Sequence, residues 1–478
     1  MIDPAALRAD LQVLRQALMT VHPGLYRYQS PAQIEAEFTG LERKFSKGAT
    51  QAEVFLALSK FTANIRCGHT FPSFWNQPDE TQANLFMTKD KLPIAFRWIG
   101  GKMIVTRNDS KTPDLRPGTM ITKINDVPSE VVLKTLLQYV KADGRNDAKR
   151  IAELQLQGPK AWEAFDIYYS LAYRPSDKFK LQITQLDGSK QSVSVDAIDQ
   201  EARRKIRAEQ TPKVNNNEEL WQFSWARPDT AVLKMPTWAL YNSKWNWQEY
   251  LRLKFVELQA KGASTLILDV RGNAGGNECG DEIMRYLVSD RQSVPANQTF
   301  VKYQQIPKDL AAHLNTWDPS YYDWSRVSKP LQPVKMLNTS AYQIRSETLS
   351  ATIFPATPRF SGKVFVLVDA ENSSATFQFA QQVRNFKVGT LVGQPTGGNR
   401  RGINGGAIFF TTLPNSRIEI DIPIIAYVPT SNQPDEGLVP DVVIRDTRAD
   451  IATGRDSVMD WVLKQTESAG GTRSAFGR

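Results

Sequence analysis

The stretch from Gly362 to Arg401 constrains the fold most strongly, because apolar and glycine-rich segments follow one another in it at short intervals. Val364–Val368 is an apolar, largely β-branched run of the kind found in buried strands. Apolar residues then recur at helical spacing, which predicts a helix beginning near Ser374; they are Phe377, Ala380, Val383 and Phe386. Leu391 and Val392 begin the next strand, before a loop with three glycines. This order of elements predicts an α/β domain.

Two serines, Ser373 and Ser374, fall at the first turn of the predicted helix. Unpaired backbone N–H groups and the positive end of the helix dipole meet there. Such a position stabilises an attacking alkoxide or the oxyanion that it creates. The alternative is that one of the serines only caps the helix. From this stretch alone, both interpretations remain open.

A second glycine-rich turn follows another predicted strand. Leu266–Val270 is apolar apart from Asp269, and Arg271–Gly276 comes directly after it. Open α/β sheets place their sites at this end of the strands, and glycines allow backbone N–H groups to approach a ligand closely. The turn lacks the lysine of a phosphate-binding P-loop and the spacing of a dinucleotide-binding loop. Alone, it is compatible with a tight turn or an anion-binding loop.

Together, the sequences DVRGNAGG and ENSSA resemble the S41 serine peptidases, the tail-specific (C-terminal-processing) and tricorn-like group. The resemblance implies an α/β, crotonase/ClpP-like catalytic domain and a serine-type endopeptidase acting on peptides or proteins. It implies Ser374 as the nucleophile, the Ala375 N–H as one oxyanion donor, and the N–H of Gly275 or Gly276 as the second. It implies neither a cofactor nor a metal ion.

The general base is predicted among three histidines, His22, His69 and His313. His69 follows a predicted helix in a glycine-containing turn, where a structural role is the alternative. His22 precedes a proline and is expected to make structural hydrogen bonds, and His313 is expected to be exposed. Many tricorn-like members carry a G-H-[ST] turn with the general base, so the resemblance implies that role for His69.

The chain departs from the tail-specific branch in the loop after the nucleophile. That branch carries a lysine base there, whereas this chain has Asn399 followed by Arg400 and Arg401. Arginine does not act as a base near neutral pH, whereas histidine titrates in the right range. A Ser–His–acid triad is therefore predicted. The resemblance places the acid before a closing G-x-x-P, at Glu436 or Asp435, with Glu436 slightly preferred.

Four segments are predicted along the chain. Residues 1–85 form a helical domain, 86–205 a PDZ-like domain with a helical insertion, 206–467 the S41 catalytic domain, and 468–478 a disordered tail. The PDZ-like interpretation depends on the pattern from Leu115 to Asn125, for which a generic small β domain is the alternative. Residues 201–217 are interpreted as a linker, and 290–360 as an insert that forms a lid or packs on the domain.

Composition excludes some classes of protein. The hydrophobic fraction of 41% and the charged fraction of 23% are ordinary for a globular protein. The net charge is +9, but the densest basic cluster, at residues 203–207, is interpreted as a solvated helix face. No nucleic-acid motif accompanies it, and no apolar run reaches the length of a membrane span.

Location and cysteine pairing are expectations from the resemblance. It favours a periplasmic or secreted protein, and since the first residues lack an apolar signal core, we expect any export signal to lie outside this sequence. Cys67 lies close to His69, and Cys279 lies close to the glycine-rich turn. They form a single bridge or are two unrelated buried thiols, the latter being slightly preferred. Two rival functions remain: a non-catalytic peptide-binding homologue, and an esterase or amidase. The oligomeric state is not predicted.

Overall fold

The computed structural model describes residues 1–157, 162–210, 216–241, 243–294, 297–345 and 352–467. The predicted tail at 468–478 lies outside this range. The chain divides into two compact units. Unit 1 comprises Met1–Thr211, Ala296–Leu349 and Arg400–Asp435, and unit 2 comprises Pro212–Pro295, Ser350–Asn399 and Glu436–Arg478. The predicted boundaries at 85 and 205 stay predictions.

The α-helices follow the chain in this order: α1 Pro4–Val21, α2 Pro31–Lys44, α3 Gln51–Asn64, α4 Asp79–Phe86, α5 Ser129–Leu136, α6 Asp147–Glu153, α7 Ala164–Tyr173, α8 Gln200–Gln210, α9 Trp247–Ala260, α10 Cys279–Leu287, α11 Lys308–Ala311, α12 Ser374–Asn385, α13 Arg448–Thr453 and α14 Ser457–Glu467. Within the described ranges, no helix is both long and apolar enough to span a bilayer.

The strands are β1 Ile94–Ile99, β2 Lys102–Asn108, β3 Met120–Ile124, β4 Val127–Pro128, β5 Lys178–Thr184, β6 Lys190–Asp196, β7 Gln222–Arg227, β8 Thr230–Lys234, β9 Thr265–Asp269, β10 Gln292–Ser293, β11 Asn297–Val301, β12 Leu314–Asn315, β13 Ser328–Val334, β14 Thr339–Ile344, β15 Thr352–Ile353, β16 Lys363–Val368, β17 Thr390–Gly393, β18 Asn404–Thr412, β19 Glu419–Pro429 and β20 Val442–Val443.

Unit 1 begins with three capped helices. Asp3 caps α1, and both Ser30 and Thr50 form capping boxes in which the cap side chain and the third helical residue bond each other's backbone. The apolar stripe of α1, which includes Leu7, Leu11, Leu14 and Leu18, is buried. Each of the three helices buries one apolar side, and the turn after α3 follows directly on this helical segment.

An antiparallel sheet follows in unit 1, with the order β1-β2-β3-β5-β6 and β4 paired to β3. Strands β5 and β6 form a hairpin, whose register runs from Lys178–Asp196 to Thr184–Lys190. Helices α6 and α7 lie between β4 and β5, where the helical insertion was predicted. The PDZ-like description stays a prediction.

The basic cluster at the end of this region is not a solvated face throughout, and the linker prediction is wrong for 201–210, which belong to α8. Arg203 is fully buried and ion-pairs with Asp109 at 3.4 Å and Asp166 at 3.1 Å. Arg207, one turn later, pairs with Glu163 at 3.6 Å. A buried guanidinium requires such partners. The two carboxylates that pair with Arg203 come from segments distant in the sequence, so the charge pattern around Arg203 does not reveal them. Arg204 and Lys205 are exposed, as predicted.

The second sheet of unit 1 has the order β12-β18-β19-β11-β14-β13 and is antiparallel throughout. Strands β18 and β19 form a hairpin around Pro414 and Asn415. Strands β11–β14 show that much of the 290–360 insert is part of this sheet. Packing, one of the two interpretations of the insert, is therefore what its described residues show.

Unit 2 contains the predicted α/β sheet, with the order β20-β17-β16-β9-β8-β7. Its neighbours pair in parallel except β7 and β8. Residues of β9 and β16 are buried almost throughout, as their apolar runs predicted. Helices α9, α10 and α12 share one core with these strands. The mixed α/β class is thus confirmed, whereas the crotonase/ClpP-like arrangement stays a prediction.

Candidate active site

Ser374 lies at the sharp junction between β16 and α12 in unit 2. Its φ of +51° places a non-glycine residue in the left-handed region, which costs of order 1–3 kcal/mol and is commonly found at functional sites. Ser373 occupies the N-cap position, but its side chain makes no cap hydrogen bond. Its hydroxyl donates instead to the Ala274 carbonyl at 3.2 Å. The helix cap therefore does not explain this pair of serines.

The glycine-rich turn after β9 is held by Asn273, which is fully buried. Its Nδ2 donates to the Met235 carbonyl at 2.8 Å. Its Oδ1 accepts from the Gly275 N–H at 2.9 Å and from the Thr376 hydroxyl at 2.8 Å. One side chain thus joins the glycine-rich turn to the first turn of α12.

Asn372 makes the reciprocal link and is also fully buried. Its Nδ2 donates to the carbonyls of Val270 at 2.5 Å and Asn273 at 3.1 Å, and its Oδ1 accepts from the Asp369 N–H at 2.8 Å. Sequence reasoning missed these two asparagines and Thr376. The available signal was an uncharged polar residue inside each turn directly after an apolar strand.

Gly275 brings the two turns into contact. A Cβ on Gly275 would lie 2.7 Å from Ser374 Cβ, 2.9 Å from the Ser373 carbonyl oxygen and 3.1 Å from the Ala375 nitrogen. Gly276 is equally constrained, since a Cβ there would lie 2.2 Å from the Trp238 carbonyl group. Only glycine fits either position.

Several backbone N–H groups in this part of unit 2 are unoccupied, and those of Ala375 and Gly276 are among them. Among the described residues of the unit, none accepts a hydrogen bond from the N–H of Ala375 or of Gly276, whereas the Gly275 N–H is bound by Asn273. Within the same residues, the Ser374 hydroxyl has no hydrogen-bond partner either. The strained serine is therefore accompanied by free donors that can bind an oxyanion.

The loop after β17 packs against the same helix. The Gly397 N–H donates to the Asn372 carbonyl at 2.7 Å, and a Cβ on Gly398 would lie 2.2 Å from the Phe377 ring. Asn399, which stands where a lysine base is expected in the tail-specific branch, is buried. The closing segment reaches this loop because Leu438 exchanges hydrogen bonds with Thr396 at 2.8 and 2.9 Å.

His69 lies in unit 1, in the turn directly after α3, and is half-buried. Its ring lies against Gly405, where a Cβ would be 3.3 Å from Cε1. Its Nδ1 is buried, and no described residue of the unit bonds it. Burial lowers the pKa of His69 below 6.5, opposed by the Asp143 carboxylate and by a hydrogen bond with the Asn404 backbone. These causes favour a neutral imidazole at pH 7.

The other two histidines have different surroundings. His22 is fully buried; its Nδ1 accepts from the Gly24 N–H at 3.1 Å, so Nε2 carries the proton and donates to the Thr70 hydroxyl at 2.8 Å. Burial lowers the pKa of His22 to about 3, which confirms a structural role. His313 is half-buried rather than exposed, because it lies between α11 and β12 and its carbonyl accepts from the Thr412 N–H.

The two acid candidates differ in their partners. Asp435, in unit 1, accepts from the Tyr28 hydroxyl at 3.0 Å and the Arg145 N–H at 3.2 Å. Its carboxylate also lies 3.9 Å from the guanidinium of Arg145 and of Arg401. Glu436, in unit 2, is exposed. Asp435 is thus already bound by its own unit.

Of the predicted residues, unit 2 contains Ser374, Ala375, Gly275, Gly276 and Glu436, and it brings the first four together. Unit 1 contains His69 and Asp435. Cys67 and Cys279 are free and buried, as in the interpretation of two unrelated thiols. Among the described residues, no group of His, Cys, Asp and Glu side chains could hold a metal ion.

Comparison with known proteins identifies the class. The family model described as Peptidase family S41 matches residues 229–444. This segment of the chain is similar to that family, and the match supports a hydrolase of the serine peptidase kind. The match includes both glycine-rich turns and Ser374, whereas His69 lies outside it.

Two solved structures of CPAF share the fold of this chain. Mature CPAF complexed with lactacystin is 13% identical with a TM-score of 0.65, over 98% of this chain and 99% of that chain. A CPAF mutant is 13% identical with a TM-score of 0.64, over 99% of each chain. The photosystem II D1 C-terminal processing protease is 14% identical with a TM-score of 0.42, over 92% of this chain and 93% of that chain. No curated protein sequence matches the chain.

Proposed function

We propose that this protein is a serine endopeptidase in which Ser374 attacks the carbonyl carbon of a peptide bond. The observation that carries the proposal is the left-handed Ser374 at the start of α12, accompanied by two unoccupied N–H groups. A strained turn between a strand and a helix presents the hydroxyl of a nucleophile, and the backbone cost is offset by surrounding packing. Here the packing comes from Gly275, Asn273 and Asn372.

The oxyanion would be bound by the N–H groups of Ala375 and Gly276. The sequence left Gly275 and Gly276 as alternatives for the second donor. Because the Gly275 N–H already donates to Asn273, the proposal favours Gly276, with Gly275 required for close approach. Preorganised donors of this kind each contribute about 10²–10³ in kcat.

The general base would be His69. Its lowered pKa leaves it neutral at pH 7, as a base must be, and the loop after β17 offers Asn399 instead of a lysine. Glu436 stays the slightly preferred acid that orients His69, and Asp435, whose carboxylate accepts hydrogen bonds from Tyr28 and Arg145, is the alternative.

The reaction would proceed in two acyl transfers. The Ser374 Oγ bonds to the carbonyl carbon while His69 takes the hydroxyl proton. The oxyanion collapses, the C–N bond breaks, and the amine leaves with the proton from His69. Water, deprotonated by His69, then attacks the ester and releases the acid and Ser374. A periplasmic or secreted location and a PDZ-like module are part of the same proposal.

Hydrolysis of casein and of a p-nitrophenyl ester, measured side by side, tests this function. We expect cleavage of both by the full chain and of neither by Ser374→Ala, with Ser373→Ala retaining most of the activity. Ester cleavage alone would support the esterase or amidase alternative. Binding of peptide without hydrolysis of either substrate would support the non-catalytic alternative, which the substitution at Asn399 keeps open.

A further inference from the structure

Both backbone groups of Gly68, the residue before His69, are held by charged side chains from one segment. The Gly68 N–H donates to Asp143 Oδ1 at 2.8 Å. The Lys141 Nζ donates to the Gly68 carbonyl at 2.7 Å. Both side chains come from the irregular segment between α5 and α6, far from the turn in sequence.

The contact is close along the whole turn. A Cβ on Gly68 would lie 2.6 Å from Asp143 Oδ2, so a larger residue there would displace the Asp143 carboxylate. Asp143 is 5% exposed. The Gly144 N–H donates to the Arg66 carbonyl at 2.9 Å, and the Lys141 ammonium lies 4.2 Å from the centre of the Phe71 ring. The segment thus follows the turn from residue 66 to residue 71.

We propose that Lys141 and Asp143 are a pair of positioning residues that fix the His69 turn through Gly68 and act on the imidazole with opposite sign. The negative carboxylate stabilises the imidazolium, and the positive ammonium disfavours it. The opposite effects of the two charges therefore keep the pKa of His69 near the value set by burial. Their hydrogen bonds meanwhile fix the backbone of Gly68. This inference deepens the proposed function, since a general base needs both a fixed position and a suitable pKa.

Other charged groups in unit 1 also change the pKa of His69 and of Lys141. Lys149 on α6 lowers the pKa of His69 and is paired with Glu153 at 2.9 Å. Burial lowers the pKa of Lys141, and the carboxylates of Glu153 and of Asp421 on β19 partly oppose this shift. Burial raises the pKa of Asp421 itself to about 7, so its charge changes in the same pH range.

Arg27 lies near the same carboxylate. Its pKa is lowered by burial and raised by Asp143. The test below therefore changes only Lys141 and Asp143 and leaves Lys149, Glu153, Asp421 and Arg27 in place. Each substitution is chosen to retain a hydrogen-bonding group while removing one charge.

The experiment is an NMR titration of the imidazole signals in histidine-labelled full chain. With three histidines, signals are assigned by His69→Gln and His313→Gln, and buried His22 serves as a signal that stays neutral above about pH 4.5, given its pKa of about 3. We expect Asp143→Asn to lower the His69 midpoint and Lys141→Gln to raise it, each by at least about 0.5 pH unit. The double variant should return near the wild-type value.

The exposed residues Asp147 and Lys134 supply matched controls, since Asp147→Asn and Lys134→Gln remove the same charges from the neighbouring helices. These variants should leave the midpoint unchanged. The proposal would be overturned if Asp143→Asn and Lys141→Gln shifted the His69 midpoint in the same direction, or if neither shifted it. A pair with a purely structural role would not shift the midpoint in opposite directions according to the charge removed. The titration needs no substrate, so it stands even if the chain proves not to hydrolyse peptides.

Discussion

Gly275 and Ser374 are packed so closely that a methyl group on Gly275 would lie 2.7 Å from the Ser374 Cβ. The same methyl group would lie 3.1 Å from the Ala375 nitrogen. The proposed nucleophile and one proposed oxyanion donor therefore depend on the absence of a single side chain. This relationship leads directly to the first prediction.

Gly275→Ala should reduce kcat/KM by about 10²-fold or more, because it displaces Ser374 and the Ala375 N–H. Gly272→Ala is the matched control: Gly272 also has a positive φ, of +78°, but a Cβ there meets nothing within 4 Å. Both variants pay the left-handed backbone cost, so only Gly275→Ala should lose activity at equal folding. Similar losses in both would show that backbone strain alone explains the effect.

Ser374→Gly should make unit 2 more stable while removing catalysis. Serine at a φ of +51° is strained, and glycine relieves roughly 1 kcal/mol of that cost. Urea unfolding of the variant and wild type measures the change in the free energy of unfolding. A less stable glycine variant would contradict the view that strain is stored at this residue.

The kcat/KM of hydrolysis should rise with pH through a midpoint below 6.5. Burial lowers the pKa of His69, so the neutral base persists to lower pH than an ordinary histidine would. An unperturbed histidine would give a midpoint near 6.5. His69→Ala should be inactive at every pH. A rate that rises only above about pH 8 would point instead to a lysine base.

Arg203→Met should destabilise unit 1 by about 3–5 kcal/mol, because it leaves the buried carboxylates of Asp109 and Asp166 without their cation. Arg204→Met, on the exposed face of the same helix, removes the same charge and should change stability by less than about 1 kcal/mol. Thermal unfolding of the two variants compares them. Equal effects would mean that the buried ion pairs are unimportant.

Sequence reasoning succeeded where the signal is local. The helix beginning near Ser374 and the strand before it depend on residues within a few positions of each other, and both are confirmed. The glycine-rich turns were recognised for the same reason. Their conformational requirement is visible in the residues themselves.

What sequence reasoning missed depends on contacts between distant residues. Nothing near Gly68 reveals that Asp143 binds its N–H, and nothing near His69 reveals Gly405 against its ring. The burial of Arg203 likewise depends on carboxylates 37 and 94 positions away. Such partners are determined by the packing of sheets and helices, which one sequence does not display.

Covalent labelling of the full chain with a fluorophosphonate measures most directly whether Ser374 is a nucleophile. Mass spectrometry of the intact protein and of its peptides locates the adduct. We expect one adduct on Ser374, absent from Ser374→Ala, retained in Ser373→Ala and slowed strongly in His69→Ala. An unlabelled wild type, or an adduct on Ser373, would contradict the assignment of Ser374.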